Sequence, residues 1–183
     1  MEETPLVEGT LVSDQAKISD NEMIHELELK GFGEHEKDGY FLKPFETLYL
    51  LYTDKLVLKK TKKKIDFNAM MEIAQTNDSD ILTKFLIYRD LRNRGYVVKD
   101  GFGFGSDFRV YERGQFGEKG AKFLIFGLNE GQTEKMGHLQ KTVKQITQMG
   151  KEPVIAVIER RGEVIYYKIN KMNFYENKSQ IEF

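Results

Sequence analysis

The chain has 183 residues, 40% hydrophobic and 12% aromatic, enough to bury one large core or two small ones, and 28 basic against 29 acidic side chains leave no bulk charge that would mark a nucleic-acid binder. Zero cysteines exclude a disulfide framework, a thiolate nucleophile and a cysteine-based metal site, and the three histidines, His25, His35 and His138, are too scattered for ligand spacing, so no metal or other cofactor is expected. No run approaches the ~18 apolar residues of a membrane span, and the acidic start Met1-Glu2-Glu3 is unlike a secretory signal, which predicts a cytoplasmic protein with no membrane partner.

The first dozen residues, with Pro5 and Gly9, read as extended. From Asn21 to Lys30, Met23, Ile24 and Leu27 recur at helical spacing behind Asp20 as N-cap and before Gly31 as stop. Tyr40 to Leu42 suggests a short strand, and Pro44 opens a second helix with Phe45, Leu48, Leu51 and Tyr52 on its apolar face. Leu56 to Leu58 is strand-like and runs into Lys59–Lys64, five lysines in six positions. A lysine run of this kind reads first as a solvated strand edge, with a phosphate-contacting patch as the alternative. Asp66 caps a third helix carrying Phe67, Met70, Met71 and Ile73, and the polar string from Gln75 to Asp80 then breaks the pattern. Two domains are expected, residues 1–79 and 80–183.

The second half has a different rhythm. Residues 80–95 predict an amphipathic helix with Ile81, Leu82, Phe85, Tyr88 and Leu91 inward and Gly95 at its left-handed end. Strands follow at Tyr96–Val98, Phe108–Glu112 and Lys122–Leu128, then a helix with Met136, Leu139, Val143 and Ile146 in one stripe that Met149 extends. Pro153–Glu159 and Glu163–Ile169 close as a hairpin around Arg160-Arg161-Gly162. The fold class expected is α+β, a small N-terminal α/β domain followed by a C-terminal mixed sheet flanked by helices. Gly101, Gly103 and Gly105 do not make a phosphate loop, because no Gly-Lys-Ser/Thr follows and the next element is a strand.

Within this second half, Leu91-Arg92-Asn93-Arg94-Gly95-Tyr96-Val97-Val98, then Gly105-Ser106-Asp107-Phe108-Arg109-Val110-Tyr111, then Ala121-Lys122-Phe123-Leu124-Ile125, and finally Lys151 ahead of Val154–Ile158, run in one order. In these motifs, over about residues 80 to 170, the chain resembles archaeal tRNA-splicing endonucleases. The resemblance implies metal-independent RNA cleavage to a 2′,3′-cyclic phosphate and a 5′-hydroxyl. A tyrosine takes the proton of the attacking 2′-hydroxyl, a histidine protonates the departing 5′-oxygen, and a lysine stabilises the pentavalent phosphate.

Tyr111 and Lys151 match the first and third of these residues, and Gly120 stands where the histidine belongs. By themselves a strand tyrosine and a lysine at a strand entrance are ordinary. A further family position, an arginine seven residues before the lysine that helps hold a bulged base, is here Lys144, which keeps the charge without the planar stacking surface. Lys144 and Arg109 are the expected RNA contacts. Among other proton donors, Lys119 next door is a poor match for a general acid near neutrality, and His138 is expected to face solvent or an interface. The chain therefore most resembles the non-catalytic, architectural subunit of a heterotetrameric enzyme, two plus two chains, built with a histidine-bearing paralogue and acting on the bulge–helix–bulge of precursor tRNA. Alternatives are a catalytic subunit using Tyr111 and Lys151 with a displaced acid, and an RNA-binding module of the same fold. The family's acidic docking turn corresponds to Glu159-Arg160-Arg161-Gly162-Glu163, where two arginines dilute the charge.

Overall fold

The computed structural model of the chain describes residues 6–101, 103–129 and 136–170, with the backbone alone for 129 and 136–140. Strands β1 (Val7–Val12), β2 (Gln15–Ile18), β3 (Glu34–Glu36), β4 (Gly39–Leu42), β5 (Leu56–Lys60) and β6 (Lys63–Ile65) form one sheet in the order β3-β4-β2-β1-β5-β6. It is antiparallel except where β1 runs parallel to β5. Helices α1 (Asn21–Leu29), α2 (Pro44–Tyr52) and α3 (Phe67–Asn77) are interleaved with these strands. Helix α4 (Ile81–Asn93) leads into the second sheet, β7 (Val97–Asp100), β8 (Phe108–Tyr111), β9 (Phe123–Asn129), β10 (Glu152–Ile158) and β11 (Val164–Lys168), with α5 (Met136–Gln148) between β9 and β10. Its order is β11-β10-β9-β8-β7, with β9 and β10 parallel and the other pairs antiparallel. The mixed α+β architecture expected from the sequence is present.

The caps follow the sequence. Asp20 accepts from the N–H groups of Glu22 and Met23, and Asp66 from that of Ala69, satisfying donors that a helix start leaves free. Gly95 ends α4 at φ +85°, a conformation that costs other residues strain. Gly101 has a different reason to be glycine: a Cβ there would lie 1.8 Å from the Ser106 carbonyl oxygen, so the turn from β7 to β8 closes only without one.

Several expectations are corrected. Gln75–Asn77 continues α3, and the chain breaks only at Asp78, whose carboxylate accepts from the Asp80 N–H and the Lys84 ammonium (2.6 Å). Leu82 and Tyr52 face outward (46% and 51% exposed), since α4 and α2 present other residues to the core. Met149, beyond the end of α5, is 53% exposed, whereas Val143 and Ile146 are buried; the side chains of Met136, His138 and Leu139 lie outside the described residues. Strands β3 and β6 are too short and polar for alternation to reveal them.

One buried cluster runs from Val7 through Leu48, Tyr88 and Phe108 to Ile158, and α2 lies at its centre, buried from Phe45 to Leu50. Phe45 and Tyr88 pack at 5.0 Å, as do Phe45 and Phe108, so aromatic rings tie α2 and α4 to β8. Because α2 is enclosed, Glu46 has no route to solvent. It accepts from the N–H groups of Gly33 (3.0 Å) and Lys43 (2.9 Å), and the Lys99 ammonium lies 3.8 Å away. Lys99, on β7, also donates to the Gly33 carbonyl (2.6 Å) and lies 3.8 Å from Glu34. Burial pushes the Glu46 carboxyl above its ordinary value, with Lys99 and the two N–H groups opposing the shift.

Removing Lys99 would strand a buried carboxylate. Lys99→Met is expected to cost about 3 kcal/mol or more in urea denaturation near neutral pH. A carboxyl raised on folding contributes stability that is complete below its ordinary value and is lost as pH rises through the raised one. The variant raises Glu46 further, so its deficit is expected to shrink in mildly acidic solution; a deficit that does not vary with pH would contradict this account.

Candidate functional site

The site positions meet because of how β8, β9 and β10 align. β8 is antiparallel to β9 and β9 is parallel to β10, so the end of β8 lies beside the starts of the other two. The Lys122 N–H donates to the Val110 carbonyl (2.9 Å) and the Glu152 N–H to the Lys122 carbonyl (2.8 Å). Tyr111, the Gly120–Ala121 pair and Lys151 each stand next to one rung of this ladder, at one end of the sheet.

Lys151 is the best-defined member. Its ammonium donates to the Ala121 carbonyl at 2.5 Å and lies 4.0 Å from where a Cβ on Gly120 would be. A side chain at 120 would therefore grow out directly beside the lysine. The backbone of Gly120 is not left-handed and its surroundings are otherwise open, so nothing in the local fold demands glycine. The residue is exposed, and the position offers no proton donor of its own.

Tyr111 follows buried Val110 on β8 and so projects from the opposite face, where its ring meets Phe116 edge to face at 5.0 Å. Phe116 belongs to the loop between β8 and β9, which is clasped at its base by Glu112 and Lys122 at 2.5 Å. Neither the Phe116 contact nor the clasp was read from the sequence. An acid and a base ten positions apart, at either end of the turn, were the available signal for the clasp. Asp107 holds the other end of β8: its carboxylate accepts from the Gly127 N–H (2.7 Å), and burial raises its carboxyl above the ordinary value.

The two expected RNA contacts differ. Lys144 is exposed on α5. Arg109 is half-buried, and one guanidinium nitrogen lies 3.4 Å from Glu34, so it ties β8 to β3. Of the histidines, His25 is exposed on α1 and His35 meets Glu28 at 2.8 Å, both in the N-terminal half, and His138 lies outside the described side chains. No group of three or more metal-ligating side chains occurs among the described residues, and no helix among them is long and apolar enough to cross a membrane.

Comparison with known proteins points to one family. A family model described as tRNA intron endonuclease, catalytic C-terminal domain, matches residues 81–166, and one described as tRNA intron endonuclease, N-terminal domain, matches residues 7–71. A tRNA-splicing endonuclease of Methanococcus vannielii is 34% identical over 164 residues, 89% of this chain and 93% of that protein. Those of Thermococcus onnurineus and Pyrococcus horikoshii are 31% and 29% identical over 169 residues, 92% of this chain and 98% of each protein. With both halves matched and nearly the whole of each relative covered, the chain belongs to the tRNA intron endonuclease family.

Proposed function

We propose that this chain is the architectural subunit of a tRNA-splicing endonuclease. It assembles with a histidine-bearing paralogue, two plus two chains, into a cytoplasmic complex that cuts precursor tRNA at bulge–helix–bulge sites. Residues 1–79 support the C-terminal domain, 80–183, which carries the vestige of the site. The observation that carries this reading is Gly120 standing 4.0 Å, at its Cβ position, from the ammonium of Lys151. In the family's chemistry that is the place for the acid that protonates the 5′-oxygen. Glycine cannot donate a proton, and losing a general acid typically costs about 10² to 10⁴ in rate. Nothing among the described residues near position 120 replaces it: the two described histidines, His25 and His35, lie in the N-terminal half.

The outer face of the second sheet supports assembly. Phe126, Ile155 and Tyr167 form one row across β9, β10 and β11, and Leu128, Val157 and Ile165 form the next. The inward residues Val154, Ala156 and Ile158 are buried, but these six are only partly covered and Tyr167 is 53% exposed. A contiguous apolar patch of this kind on an edge hairpin marks a protein–protein surface.

Three outcomes test the proposal. In the assembled complex, with partner and substrate saturating, Tyr111→Phe and Lys151→Ala are expected to leave single-turnover cleavage nearly unchanged. The matching changes in the paralogue should lower it about 100-fold or more; a 100-fold loss from Tyr111→Phe in this chain would place a working site here. Ile155→Glu is expected to break the assembly in light scattering, and an unchanged mass would refute the role of the patch. Gly120→His should melt within about 0.5 kcal/mol of the parent, since its Cβ meets only the Lys151 ammonium; a large loss would mean that glycine is kept for the fold.

A further inference from the structure

The lysine run lies at the far side of the first sheet, away from the site above, on the hairpin of β5 and edge strand β6. Residues 55–66 hold six of the 28 basic side chains and one of the 29 acidic ones, so the other residues carry 22 basic against 28 acidic, a net −6. The near-neutral total therefore hides a basic hairpin on an acidic body.

Register makes the clustering tighter than the sequence suggests. Lys59 stands directly opposite Lys64, and Lys60 opposite Lys63, two like-charge pairs on successive rungs that disfavour the hairpin by themselves. Only Leu58 opposite Ile65 anchors it in the core. Lys60, Lys62, Lys63 and Lys64 are exposed, and none has an acidic partner among the described residues. Lys59 reaches Glu8 at 3.2 Å, but that carboxylate side chain is 70% exposed and competes weakly. Thr10 pairs with both Lys59 and Lys17, so Lys64, Lys59, Thr10 and Lys17 form one row across four strands of the outer face. Adjacent strands lie about 4.8 Å apart, which gives the row a span of about 14 Å. Lys17, Lys59 and Thr10 also line one open cleft.

Edge protection needs one or two lysines on β6. It does not account for opposed lysines on both faces, nor for a basic row continuing inward to β2. We propose that the tip of the β5–β6 hairpin, with the lysine row leading to it, binds the phosphate backbone of the RNA substrate without reading its sequence. The inference rests on the proposed function for the identity of the polyanion. Its physics is counterion release: each lysine neutralising a phosphate lowers the salt dependence of binding when it is removed.

The test is fluorescence anisotropy of the full-length chain with a labelled bulge–helix–bulge RNA and with a plain RNA duplex, across a range of KCl concentrations. Replacing Lys60, Lys62 and Lys63 together by alanine is expected to weaken binding of both RNAs about tenfold or more at low salt. The slope of log affinity against log salt should flatten by about 2 to 3, and replacement by arginine should preserve both quantities. Melting of the alanine variant should match or exceed the parent, because the Lys60–Lys63 opposition is gone. Unchanged affinity and slope, or absence of RNA binding by the parent, would each overturn the inference. A complex that fails to cut precursor tRNA while the lysine effect persists would sink the proposed function and leave this surface standing.

Discussion

Much of this structure depends on one buried charge. Glu46 sits on α2, which is buried from Phe45 to Leu50, and the cation beside it, Lys99, comes from the other sheet. Such a pair adds little net stability but is costly to break, so it acts as a lock between the first sheet and the second. Arg109, opposite Lys99 in register, repeats the link through Glu34. Tyr111 lies two residues further along the same face, so the lock orients β8 and with it the first site position.

From β8 the backbone ladder carries the order to β9 and β10, and three positions distant in sequence meet at one sheet end. What the geometry presents there is a tyrosine ring held by Phe116 and a lysine held by a carbonyl, with open space where a proton donor would sit. Catalysis of phosphodiester transfer needs charge stabilised on both the attacking and departing oxygens. On the proposed reading, Tyr111 and Lys151 stand where the base and the cation would, and Gly120 offers no side chain for the acid.

The helices were legible because capping residues and apolar periodicity agree, as Asp20, Asp66 and Gly95 show. The five strands of the second sheet were legible through alternation and the hairpin around Arg161. Leu82 and Tyr52 misled because periodicity gives a stripe and not its width, and β3 and β6 escaped because three-residue polar strands have no period. At the site, the motif order put Tyr111, Gly120 and Lys151 in line, but their proximity needed the parallel pairing of β9 with β10, a long-range fact that local sequence does not encode. Nothing local announces Glu34, 75 residues earlier, as a partner of Arg109.

On the proposed function, the absence of an acid side chain at position 120 leaves this chain unable to cut by itself. The most direct measurement is single-turnover incubation of the purified chain, in excess over a bulge–helix–bulge RNA, with and without the histidine-bearing paralogue. The account predicts no 2′,3′-cyclic phosphate product from the chain alone and full cleavage once the paralogue is added. Cleavage by the chain alone at a rate comparable to the mixture would contradict it.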